Sequence, residues 1–142
     1  MLFRSELYIA SDHFSATRKA SDPFHQVFEV RKRGSEQLEQ IESDLPGVYQ
    51  AKNVCTVLQT TEVLRQIGFQ LKESEVSYAL SHVRALTGFS GRWQVLQRDP
   101  LVICDVGHNP AGMEYVVKQL NELQAEQIHF IIGMVKIGRA HV

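Results

Sequence analysis

The chain has 142 residues, 44% of them hydrophobic, and a formal net charge of -1. That suffices for one domain of ordinary size, with neither the basic footprint of a nucleic-acid binder nor an acidic tail. No apolar run approaches the length needed to cross a bilayer. Cys55 and Cys104 both lie in apolar periodic segments, which suits buried thiols in a reducing compartment better than a disulfide. Glu6 and Asp12 interrupt the first apolar pieces, so no signal peptide is expected. The expectation is a soluble, cytoplasmic protein with no nucleic-acid or membrane partner.

In chain order, Leu7-Tyr8-Ile9-Ala10 reads as a short strand and Ser11-Asp12-His13 as a turn. Ser15 to Pro23 is polar and reads as irregular. Gln26 to Arg31 alternates as a half-exposed strand. Arg31-Lys32-Arg33-Gly34 is a solvated turn rather than a binding patch. Pro46-Gly47-Val48-Tyr49-Gln50 is a turn leading to Asn53. From there Val54, Val57, Leu58, Thr61, Leu64 and Ile67 keep helical spacing until Gly68. A second helix is expected over 74–86, with Val76, Leu80, Val83 and Ala79 inward and His82 on the surface. These helices have no recognisable sheet to pack on.

Thr87-Gly88-Phe89-Ser90-Gly91 is rich in breakers and marks a hinge or domain boundary. After Arg92-Trp93-Gln94-Val95-Leu96 and a turn at Arg98-Asp99-Pro100 comes the run Leu101-Val102-Ile103-Cys104, which reads as a strand buried on both faces. Asn109-Pro110 starts a helix, and Met113, Val116, Val117, Leu120 and Leu123 fall on one face. Ile128 to Val135 is again apolar and β-branched, so 101–135 reads as one right-handed βαβ unit. His129 is expected to be structural.

Asp105 and His108 thus sit where a strand's carboxyl end meets a helix's amino end, a rim that suits a phosphate. The plainer alternatives are that Asp105 accepts backbone hydrogen bonds in a turn, that His108 is an exposed loop residue, and that Asn53 only serves the first turn of its helix.

Asp105-Val106-Gly107-His108-Asn109-Pro110, with Gly91-Arg92-Trp93 ahead and Gly133-Met134-Val135 behind, resembles the bifunctional folylpolyglutamate synthase/dihydrofolate synthase family of the Mur ligase superfamily. Gly47-Val48-Tyr49-Gln50 followed by Asn53 is similar to the end of that family's central ATPase domain. The resemblance covers 45–135, and 7–45 more loosely. It implies an α/β fold class: the end of the central ATPase domain plus the first βαβ unit of a Rossmann-like Mur ligase C-terminal domain. The implied boundaries are 1–88 for the ATP-binding part and 89–136 for the start of the ligase domain.

The resemblance also implies an ATP-dependent ligase of folate biosynthesis and one-carbon metabolism. ATP phosphorylates a dihydropteroate or tetrahydrofolate carboxylate, and L-glutamate attacks the acyl phosphate. Asn53 would hold adenine, and Arg92 would contact phosphate as the domains close, a task suited to its permanently charged fork. Asp105 would bind the ribose hydroxyls or position neighbouring basic groups, and His108 would lie beside the nucleotide. The family's Gly-Lys-Ser/Thr loop, Mg²⁺ ligands and carbamylated lysine belong to an amino-terminal region not present in this sequence, so no catalytic or metal residue is assigned here. The parent protein is expected to be a monomer.

Where the family continues with an acidic Asp-Lys-Asp run, this chain reads Lys136-Ile137-Gly138-Arg139-Ala140-His141-Val142. Those residues match the translation of a common sequencing adapter, so 137–142 is expected to be a non-native tail and the chain a fragment. Two other classes compete: a non-catalytic nucleotide- or phosphate-binding α/β module, and a metal hydrolase using Asp105 and His108. The latter lacks a further cluster at ligand spacing.

Overall fold

A computed structural model describes residues 6–22 and 24–133. It is mixed α/β and divides into two compact units, 1–106 and 107–142.

The first unit opens with a single helical turn, α1 (Ala10–His13), and then an antiparallel sheet. Its strands are β1 (Phe14–Ser21), β2 (Gln26–Lys32) and β3 (Leu38–Ser43), in the order β1-β2-β3. Phe28 pairs with Arg18 on one side and Ile41 on the other. β2 alternates as the sequence predicts, burying Gln26, Phe28 and Val30. The hairpin turn after it is solvent-exposed, also as predicted.

Two strands went unread. β1 points Phe14, Ala16 and Arg18 inward between exposed Ser15 and Thr17, and β3 buries only Ile41 and Ser43. With so few apolar residues on the inner face, neither carries a clear period-2 signal. Their pairing with β2 selects them. Conversely Leu7, Tyr8 and Ile9 form no strand and are exposed, and the residues read as a turn form α1.

The helices do have a sheet. α2 (Gln50–Gln66) packs on β1, and α3 (Glu73–Ser81) on β3. Phe28, Val30, Ile41, Val54 and Leu80 make the core, with Phe14, Ala16, Ala51, Leu58 and Val76 packed around it. α2 starts three residues before Asn53, and buries Val54, Cys55, Gln59 and Thr61. Val57 and Ile67, expected inside, are exposed. The helix ends in a Schellman arrangement: the Phe69 N–H bonds the Leu64 carbonyl at 3.0 Å and the Gly68 N–H the Arg65 carbonyl at 3.1 Å.

The predicted second helix is two, α3 and α4 (Val83–Thr87), broken at His82. Val76 and Val83 are half-buried and Leu80 buried, but Ala79 faces solvent. His82 is on the surface, stacked on Tyr78 with centroids 4.2 Å apart. Asp44, just after β3, accepts both free N–H groups at the start of α4, from Val83 at 3.0 Å and Arg84 at 2.9 Å.

β4 (Gln94–Arg98) and β5 (Leu101–Cys104) form the expected hairpin, antiparallel, with Leu96 bulged out. β5 is not buried on both faces: Leu101 and Val102 are exposed in this two-stranded sheet.

In the second unit, α5 (Pro110–Glu122) begins as the sequence predicts. The Asn109 side chain accepts the Gly112 N–H at 2.8 Å, and Pro110 stands in the first turn. Val116 and Gln119 are buried, while Val117 is exposed. Residues 128–133 form no strand, and Ile128, Phe130, Ile131 and Ile132 are exposed. An apolar run becomes a strand only with a ladder partner, and the described residues offer it none. The βαβ closure is therefore not formed among them. Met134, Val135 and the tail at 137–142 lie outside the described residues. No helix among the described residues is long and apolar enough to cross a membrane.

Candidate functional site

The first unit gathers Arg92, Asp105, Tyr49 and Arg84 around a tightly constrained loop. Arg92 is half-buried, and both its neighbours are in the left-handed region, Gly91 at φ 78° and Trp93 at φ 44°. For a tryptophan that conformation is unfavourable and persists only when surroundings impose it. Two bonds do so. The Asp105 carboxylate accepts the Trp93 N–H at 2.8 Å, and the Gly91 carbonyl accepts the Val106 N–H at 2.9 Å. The Gln94 side chain adds a third, accepting the Gly91 N–H at 2.8 Å. Trp93 itself is buried, with 3% of its surface exposed.

Position 91 must be glycine for a second reason: a Cβ there would stand 2.8 Å from Val106 Cγ1. So the residues on both sides of Arg92 are pinned to the dipeptide Asp105–Val106. The predicted pair Arg92 and Asp105 is brought together. This geometry matches the plainer alternative for Asp105, acceptance of a backbone hydrogen bond.

Tyr49 enters from the turn before α2. The Gly47 backbone, at φ 140°, leaves room for its ring, since a Cβ on Gly47 would lie 2.9 Å from ring atoms Cε1 and Cζ. Gln26, buried at the start of β2, fixes this turn by donating its amide to the carbonyls of Leu45 at 2.9 Å and Gly47 at 3.1 Å. Burial pushes the Tyr49 hydroxyl up to about 12, helped by the negative charge of Asp105 and opposed by Arg92 and Arg84. Arg84 holds its Nη2 buried without a hydrogen-bond partner among the described residues.

Asn53 lies in the first turn of α2, exposed, its side-chain amide donating to Gln50 Oε1 at 2.7 Å. His108 is exposed and belongs to the second unit. Sequence reading missed Tyr49, Arg84 and Trp93 as parts of the site. Gly47 two residues before an aromatic was the available signal for Tyr49. Two cavities of about 130 and 370 Å³ lie elsewhere in the first unit, and neither is lined by Arg92 or Asp105. Among the described residues no three His, Cys, Asp or Glu side chains gather to hold a metal ion.

Residues 91–139, which begin at this loop, match the family described as Mur ligase, glutamate ligase domain. The match starts at Gly91 and runs to Arg139, three residues into the segment read as a tail. The chain is 30% identical over 69 residues to the dihydrofolate synthase/folylpolyglutamate synthase of Buchnera aphidicola subsp. Acyrthosiphon pisum (strain APS), covering 48% of this chain and 16% of that protein. It is 27% identical over 95 residues to the folylpolyglutamate synthase of Lacticaseibacillus casei, covering 66% of this chain and 21% of that one. The chain therefore spans 16% and 21% of the lengths of these two relatives. No solved structure matches it. The resemblance read from Gly91-Arg92-Trp93 and Asp105 to Pro110 stands, as does the α/β class.

Proposed function

We propose that this chain is a segment of an ATP-dependent ligase that joins L-glutamate to dihydropteroate or a tetrahydrofolate through an acyl phosphate. The observation that carries the reading is the pinned Arg92 loop at the very start of the Mur ligase match. A loop held on both sides presents a guanidinium with little freedom left to lose, as phosphoryl transfer requires of its charge-stabilising groups. In this reading Arg92 contacts the ATP phosphates, Asn53 the adenine, and Asp105 and His108 lie at the ribose side. The boundary between the ATP-binding part and the ligase part falls at 88/89.

In the family this chain resembles, the Mg²⁺ ligands and the phosphate loop lie towards the amino terminus, and they are assigned to sequence upstream in the parent protein. The parent is a cytoplasmic monomer, and the 142-residue chain alone is inactive.

The test is kinetic. The full-length gene product, supplied with ATP, glutamate and dihydropteroate or tetrahydrofolate, should release ADP only when all substrates are present. Arg92→Ala in that protein should lower kcat by about 10²–10³ while changing the KM for ATP less, because a closure contact is made mainly near the transition state. Absence of glutamate-dependent ADP release would favour the non-catalytic nucleotide-binding module. Wild-type kinetics in Arg92→Ala would remove its role.

A further inference from the structure

Arg92 stands between two captured amides. Gln94 opens β4, its backbone paired with Cys104 on β5. Its side chain folds back over Trp93 and Arg92, and Oε1 accepts the Gly91 N–H at 2.8 Å. On the other side of Arg92, the Asp105 carboxylate accepts the Trp93 N–H at 2.8 Å. The peptide units flanking Arg92 are thus each tied to a side-chain oxygen, one from β4 and one from the residue that follows β5. The Gln94 bond closes a turn around Trp93, whose backbone at φ 44° persists only when its surroundings impose it. The Val106 N–H holds the Gly91 carbonyl as well, so both polar backbone atoms of Gly91 are engaged.

Loops whose amides point outward bind anions through the backbone. Here the Gly91 and Trp93 amides are taken up by side chains, so an anion at this loop is met by the Arg92 side chain. We propose that Gln94 is a positioning residue: with Asp105 it clamps the two amides flanking Arg92, so that the loop offers an anion the guanidinium from one fixed place and withholds its backbone. This rests on the reading that Arg92 meets the ATP phosphates for its purpose, but not for its geometry. Glutamine suits the task because its amide oxygen reaches back across two residues. Leucine has similar bulk and no acceptor, whereas glutamate keeps both length and acceptor.

Amide hydrogen exchange, resolved residue by residue by NMR in the 142-residue protein, tests the clamp. Gln94→Leu should speed exchange at Gly91 by about two- to tenfold, as expected for one lost hydrogen bond. Exchange at Trp93 should rise too, since the two bonds hold one turn. Gln94→Glu should leave both close to wild type. Gly91 exchange unchanged in Gln94→Leu, or raised while Trp93 stays at the wild-type rate, overturns the clamp.

Should Gln94→Leu fail to fold, Asp105→Leu supplies the second measurement. It should speed exchange at Gly91 as well as at Trp93, and a wild-type Gly91 rate there overturns the clamp. In the full-length enzyme, Gln94→Leu should lower kcat by about two- to tenfold with the KM for ATP changed less. An unchanged kcat overturns the positioning role. If the wild-type enzyme shows no ligase activity, the ligase reading fails, whereas the exchange rates still decide the clamp.

Discussion

Replacing Gly91 with alanine separates two costs that the structure superimposes at one atom. A residue with a Cβ at φ 78° sits in left-handed backbone, which costs about 1–2 kcal/mol. The new methyl would also stand 2.8 Å from Val106 Cγ1. Val106 is 51% exposed, so it can turn aside, at roughly 0.5–1.5 kcal/mol for an unfavourable rotamer. Against these, alanine restricts the unfolded chain and returns about 0.4–1 kcal/mol. The balance is a loss of about 2 kcal/mol, or a fall in Tm on the order of 10 °C for a unit of this size. Thermal melts followed by Trp93 fluorescence and by circular dichroism measure it. Val106→Ala alone should be nearly neutral, and added to Gly91→Ala it should recover the steric part only, about 1 kcal/mol. A Gly91→Ala protein that melts like wild type would refute the left-handed requirement. Full rescue by Val106→Ala would show that the strain was steric throughout.

Tyr49 makes the first unit sensitive to alkali. Burial pushes its hydroxyl up to about 12, above the ordinary tyrosine value near 10, so the folded state prefers the neutral phenol. The stabilisation is complete below pH 10 and is lost as pH rises from there towards 12; partial exposure discounts it to on the order of 1 kcal/mol. Urea midpoints across that window should fall more steeply in wild type than in Tyr49→Phe, and parallel curves would count against it. Asp44→Ala should cost about 1–2 kcal/mol, because two N–H groups of α4 lose their acceptor, with a small loss of helical ellipticity alongside. Phe28→Ala, at the fully buried centre of the sheet, should cost about 3–5 kcal/mol. A urea midpoint unchanged from wild type in this variant would contradict the assigned core. Asn109→Ala should lower the helicity of α5 by removing its cap, at about 1 kcal/mol.

What the sequence determined by itself is what rests on neighbours along the chain. Asn109-Pro110 opens a helix, Gly68 closes one, and the alternation from Gln26 to Arg31 marks β2 as a half-exposed strand. The Arg98-Asp99-Pro100 turn likewise folds β4 on β5. Each depends on interactions within a few residues, which composition and spacing encode. The family resemblance, carried by Gly91-Arg92-Trp93 and the Asp105 to Pro110 segment, is legible for the same reason.

Tertiary structure decided what depends on a distant partner. β1 and β3 became strands because β2 stands between them, and they gave the helices the sheet that reading along the chain did not find. Leu101 to Cys104 and Ile128 to Gly133 show the converse. Apolar runs predict burial, but burial needs a neighbouring element, so the first stays an exposed hairpin strand and the second forms no strand at all. The candidate site follows the same division. Arg92 and Asp105 were visible as residues with chemistry. The left-handed turn at Trp93, the Asp105 carboxylate that holds it, and the Tyr49 ring arriving over Gly47 exist only because segments far apart in sequence meet, and no local pattern records such a meeting.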